Sequence, residues 1–205
     1  MSGKVRSAVF ASLAALLAGA AGCAASAKAR PEASPSSSSG EVPPSLAAPA
    51  GNDLAFDLLA EGVQIYSCAT PSGAGAAGPA WAFQAPEAML RDERGQLAGT
   101  HRAGPMWEAL DGSSVVGTKV EGATPDPASI PWLLLRATSH GGGSGRMADV
   151  TFVQRLQTSG GVAPSEGCGA ANIGAVARVP YRAVYRFYRG HESRAYVGST
   201  APYAM

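Results

Sequence analysis

"VPYRAVYRFYR", residues 179–189, is the stretch that decides the fold. Val179, Tyr181, Ala183, Tyr185 and Phe187 fall on every second position, with Arg182 and Arg186 between them. Side chains alternate across a strand, so this spacing predicts one apolar face against a core and one cationic face away from it. A helix would scatter the same residues around its axis.

Working outward, "DVTFVQRLQT" (149–158) places Val150, Phe152 and Leu156 together, opposite Thr151, Arg155 and Gln157. "GVQIYSC" (62–68) and "SSVVGTKVEG" (113–122) also read as strands. "PWLLLRAT" (131–138) is a continuous apolar run bounded by Pro131, the mark of a strand buried on both sides. Asp92 to Gly95, Asp111-Gly112, Gly141 to Gly145 and Gly160-Gly161 supply turn signals between these segments. The stretch 87-EAMLRDERGQL-97 invites a helix, but its Asp-Glu-Arg-Gly centre suits a hairpin turn at least as well. The expectation is an all-β fold: a single antiparallel β-sandwich or barrel-like domain over 51–189. No repeat of solenoid length interrupts it.

The ends of the chain read differently. Residues 1–22 carry Lys4 and Arg6, then Val9, Phe10, Leu13, Leu16 and Leu17, the pattern of a signal peptide. Ala20-Ala21-Gly22-Cys23 resembles the lipobox of bacterial lipoproteins, which implies diacylation of Cys23; the competing reading is ordinary cleavage after Ala25-Ser26-Ala27. Residues 23–50 are rich in Ala, Ser and Pro and are expected to form a flexible tether. Residues 190–205 are read as a C-terminal tail. No other segment is long and apolar enough to span a bilayer as a helix, so lipid would be the anchor, and a two-chain lipid holds stably. The expected location is the bacterial cell envelope, as an outer-membrane lipoprotein or else periplasmic or extracellular.

Formal charge is +1 over the 205 residues, and loss of Lys4 and Arg6 with the signal peptide brings it to −1. A near-neutral chain without a basic run offers nucleic acid no electrostatic footprint. With Cys23 assigned to lipid, Cys68 and Cys168 remain. In an exported chain two such cysteines are expected to form a disulfide, and neither sits in a C-x-x-C or C-x-x-H cluster suited to metal.

Six blocks carry a family resemblance: "GVQIYSC", "WAFQAPEAMLRDERGQLAGTH", "GPMWEALDGSSVVG", "IPWLLLRA", "VTFVQRLQTSGGVAPSEGC" and "VPYRAVYRFY". In this order they resemble the secreted domain of unknown function 3455 of bacterial and fungal proteins, over roughly Val42 to Tyr188. The resemblance implies export and an autonomous domain and brings no catalytic residues. Some relatives carry a malate dehydrogenase label, but the chain has no strand–GxGxxG–helix unit with an acidic residue following.

Few motifs carry chemistry. "HGGGSGR" (140–146) lacks both the GxSxG elbow that an esterase needs and the Lys-Ser/Thr of a phosphate loop, so it reads as a flexible hairpin loop. "HES" at His191 lacks the second histidine of a zinc protease helix.

The stretch 101-HRAGPMWEALDGSS-114 is richer. His101, Glu108 and Asp111 would supply ligands to a divalent metal or an acid/base pair, and Trp107 and Trp81 an aromatic platform. Each also has a structural reading: His101 donating to a carbonyl, Trp107 in the core, Asp111 capping its own turn. Gln64, Tyr66 and Cys68 share one strand face. If Val63 and Ile65 take the core, Gln64 and Tyr66 either line a pocket or lie exposed beside the disulfide.

The sequence therefore points to a non-enzymatic binding or structural module of the envelope, with a small molecule, a glycan or an envelope partner as ligand and no cofactor. The alternative is a hydrolase or metal-dependent enzyme centred on His101, Glu108 and Asp111.

Overall fold

The computed structural model describes residues 41–72 and 78–191, all within one compact unit. The expected signal peptide, Cys23, the first part of the expected tether and residues 192–205, read as a tail, lie outside the described residues. Eight antiparallel strands make up the fold: β1 (Asn52–Ala69), β2 (Ala80–Arg91), β3 (Leu97–Arg102), β4 (Met106–Ala109), β5 (Ser114–Ala123), β6 (Trp132–Gly141), β7 (Val150–Gly160) and β8 (Val176–Gly190). Each pairs with the next, and β8 returns to β1, so the sheet closes into an up-and-down barrel with no free edge. Closure resolves the expected choice between sandwich and barrel in favour of the barrel.

The period-two stretch that set the fold class becomes the C-terminal part of β8. Tyr181, Ala183, Tyr185 and Phe187 face the interior. Arg182 and Arg186 stay outside, paired with Glu61 (2.7 Å) and Asp57 (3.5 Å) of β1. The turn at Asp92 is a hairpin: Asp92 Oδ1 accepts from the Arg94 and Gln96 amides, and Gly95 takes φ 75°. Backbone capping by a short carboxylate ends β2 where a helix was conceivable.

"PWLLLRAT" is buried on both faces, as its composition predicts. Leu133 and Leu135 point into the barrel, whereas Trp132 and Leu134 point out. The outer pair is covered by the segment at 41–50, which includes a short 3-10 turn, Pro44–Leu46. Leu46 is fully buried against Trp132, Leu134, Phe152 and Leu156. Gln154, also buried, donates to the Leu46 carbonyl and accepts from the Tyr188 hydroxyl (2.7 Å). The described end of the expected tether is thus a strap laid on the barrel wall, because Leu46 and the outer faces of β6 and β7 bury one another.

This strap reverses the polarity of β7. Phe152 and Leu156 do share a face, but it is the outer one, under the strap. Val150 and Val153 face inward, the ladder slipping between Val150 and Phe152, so Arg155 belongs to the interior.

One end of the barrel is plugged. Asp111 Oδ1 accepts from the Ser113 amide and hydroxyl, and its Oδ2 from the Arg146 amide (2.8 Å). Ser113 Oγ accepts in turn from the Met147 amide, and Met147 is fully buried. The Gly-rich loop after β6 is therefore pinned rather than flexible. Gly142, at φ 75°, passes so close to Gly112 that a Cβ would lie 1.9 Å from its carbonyl oxygen. A glycine is required there twice over.

Candidate functional site

At the other end the barrel encloses a cavity of about 380 Å³. Its walls come from every strand: Gln64 and Tyr66 of β1, Phe83 and Pro86 of β2, His101 of β3, Trp107 of β4, Lys119 of β5, Leu133 and Leu135 of β6, Arg155 of β7 and Tyr185 of β8. The turn at 103–105 and the pair Ile130-Pro131 complete the rim. An eight-stranded barrel is just wide enough to be filled by side chains or to hold one small ligand. Here the plugged half is filled, and the open half is not.

The aromatic side of the cavity is built from cross-strand neighbours. His101 of β3 lies directly opposite Trp107 of β4, and the two rings stack at 4.6 Å with an interplanar angle of 11°. Tyr185 meets both edge-on, at 4.9 and 5.3 Å. His101 Nδ1 lies 2.9 Å from the Met106 carbonyl oxygen, which can only accept, so Nδ1 carries the proton and Nε2 a lone pair. Complete burial pushes the His101 imidazole down to about 3, so it is neutral at ordinary pH. Burial also raises the Tyr66 and Tyr185 hydroxyls, against a smaller opposing pull from Arg155, and both remain protonated. The Tyr66 hydroxyl donates to the Gly161 carbonyl at 2.6 Å.

Besides the Tyr185 hydroxyl, which is buried without a geometric hydrogen-bond partner among the described residues, two further side chains of this wall hold polar groups in reserve. Gln64 Nε2 and Trp107 Nε1 are buried and have no hydrogen-bond partner among the described residues. Arg155 contributes a permanent cation, its Nε donating to the Pro131 carbonyl at 2.9 Å. No Asp or Glu lines the cavity.

The residues singled out from the sequence are separated by this geometry. His101 and Trp107 come together on the cavity wall. Glu108 does not join them: next to Trp107 in a strand, it points the other way and pairs with Arg102 on the outer surface. Asp111 is a turn cap at the plugged end. Three such side chains cannot act on one substrate, and among the described residues no three His, Cys, Asp or Glu side chains are grouped to hold a metal ion.

Gln64 and Tyr66 face inward with Cys68, and Val63 and Ile65 face outward, the reverse of the orientation that would have exposed them. Trp81 is not on the cavity wall. Its indole N–H donates to the Glu166 carbonyl (2.8 Å), fastening the loop at 162–175. The Cys68–Cys168 disulfide holds the same loop, with a Cα–Cα distance of 5.3 Å, assisted by paired backbone bonds of Cys68 with Gly174 and Ala175. Sequence reasoning placed Tyr185 on the core face but missed Arg155 as a cavity residue. The available signal was the doubly apolar "PWLLLRAT": a strand covered on its outer face implies a cover that reaches its neighbour too.

These features define the class: a closed eight-stranded up-and-down barrel, plugged at one end and hollow at the other. By sequence the chain belongs to the family of unknown function DUF3455, which it matches over residues 49–189. No curated protein and no solved structure matches it.

Proposed function

We propose that this chain is a non-enzymatic binding module of the bacterial cell envelope that takes one small, largely apolar molecule into its barrel. The observation that carries the reading is the cavity: about 380 Å³, walled by leucine, proline and aromatic side chains, with a few convergent polar groups. Ligand sites are built this way, concave and mostly apolar with sparse polar anchors. A filled barrel would need no such space, and interiors normally pack to crystal-like density. The envelope setting rests on the signal-like N-terminus and on Cys23, whose lipid would tether the domain to the outer membrane. The Cys68–Cys168 disulfide fits an oxidising compartment.

Titration with the neutral fluorophore N-phenyl-1-naphthylamine tests the reading. Saturable binding of one molecule per chain is expected, and Leu133→Trp, which adds bulk to the cavity wall, should weaken it at least tenfold. Absence of saturable binding, or binding indifferent to Leu133→Trp in a folded protein, contradicts the reading.

A further inference from the structure

We propose that the molecule taken into this barrel is an organic anion, a carboxylate on an apolar body, with Arg155 as its counter-ion. The inference rests on the binding reading above and adds the chemistry of the ligand. Arg155 sits opposite Tyr185 on one neighbouring strand and Leu133 on the other, and all three line the cavity. Its Nε bond to the Pro131 carbonyl and its contact with the Tyr185 hydroxyl orient the guanidinium and leave N–H groups over for a ligand. Four arginines of the outer wall have carboxylate partners: Arg102 with Glu108, Arg178 with Glu87, Arg182 with Glu61 and Arg186 with Asp57, whereas Arg91 is held by the Gly95 carbonyl and Arg136 lies over the Phe152 ring. Among the described residues Arg155 has none within ion-pairing distance.

A guanidinium stays protonated, and Arg155, half-buried on the cavity wall, is a fixed positive charge facing that space. Nothing in the cavity pairs it. Lys119, exposed two strands away on β5, adds a second cation on the lining, and the neutral His101 adds no charge of either sign. The N–H groups of Gln64 and Trp107, without partners among the described residues, are further donors on the same wall. A lining with two cations and no carboxylate calls for an anion, which these donors would also serve. The fork of Arg matches a carboxylate in two parallel hydrogen bonds. The remaining wall, from Ile130, Leu133, Leu135 and Phe83, suits an aliphatic or aromatic body and not a sugar.

Displacement of bound N-phenyl-1-naphthylamine from the full domain by dodecanoate, dodecan-1-ol and dodecyl phosphate tests this. Dodecanoate should displace the fluorophore at a concentration at least tenfold below that of dodecan-1-ol in the wild-type protein. Arg155→Gln should abolish that preference, read as the ratio of the acid and alcohol concentrations that displace the fluorophore, while Arg155→Lys should retain part of it. Equal displacement by acid and alcohol in the wild type, a comparison that needs no variant to fold, overturns the proposal and leaves the binding reading standing. So does a preference that survives in Arg155→Gln. Dodecyl phosphate winning by tenfold over dodecanoate would overturn the carboxylate assignment. If the fluorophore itself does not bind, both readings fall together.

Discussion

His101 shows at the scale of one residue what the barrel does to chemistry. Its ring is stacked on Trp107, flanked by Tyr185 and held by the Met106 carbonyl, and burial takes its pKa to about 3. In the unfolded chain the same imidazole titrates near its ordinary value of 6.5. Between those values the unfolded chain binds the extra proton, so stability is full above about pH 6.5 and falls as the pH drops towards 3. From pH 7 to pH 5 this one group should remove about 2 kcal/mol, at 1.36 kcal/mol per pH unit below the unfolded value. Urea unfolding at the two pH values measures it. His101→Gln, which has no proton to gain, should lose correspondingly less than wild type; an equal loss in both would show that the pH dependence comes from other groups. The stacked histidine and tryptophan were legible as neighbours in the sequence, since positions 101 and 107 flank one short turn. That Glu108 leaves them was also implicit in strand alternation. What no local pattern could supply was which side of β3 and β4 would be the inside.

At the scale of elements, the strand faces were readable and the cover was not. Alternation in β8 and the apolar run in β6 follow from backbone pleating and survive any tertiary context. The segment at 41–50 looks like the rest of a low-complexity tether because its anchors, the buried Leu46 and the partly buried Val42, are too few to set up a periodicity. Its burial depends on the outer faces of β6 and β7, which lie more than eighty residues away in sequence. Missing that strap also turned β7 inside out and hid Arg155. Leu46→Ala should cost about 2–5 kcal/mol, the range for emptying a buried leucine site, as read from the urea midpoint with an unchanged slope. A cost below about 0.5 kcal/mol, typical of exposed sites, would mean that the strap does not bear on stability.

The Cys68–Cys168 bond acts on another connection, closing a sequence separation of 100 residues. On the chain-entropy argument its removal in Cys68→Ser/Cys168→Ser should cost about 4–5 kcal/mol, less any strain relieved. Circular dichroism should show a lower melting temperature with the β signal intact, because the apolar strand faces remain buried. Loss of the β signal at room temperature would show that the barrel depends on the bond to form at all.

For the whole molecule, the central claim is that the hollow end of the barrel is where a ligand sits. The chain has three tryptophans, and the fold distributes them usefully. Trp107 lines the cavity, Trp132 lies under the strap on the outer wall, and Trp81 holds the loop at 162–175. Each indole N–H gives its own cross-peak in a proton–nitrogen correlation spectrum, assignable by single Trp→Phe variants. On addition of N-phenyl-1-naphthylamine the Trp107 indole signal should shift furthest, since its N–H is buried in the cavity wall with no partner among the described residues, while the Trp132 signal stays in place. A shift confined to Trp132 or Trp81, with Trp107 unmoved at saturation, would place the molecule on the outer surface and contradict the account.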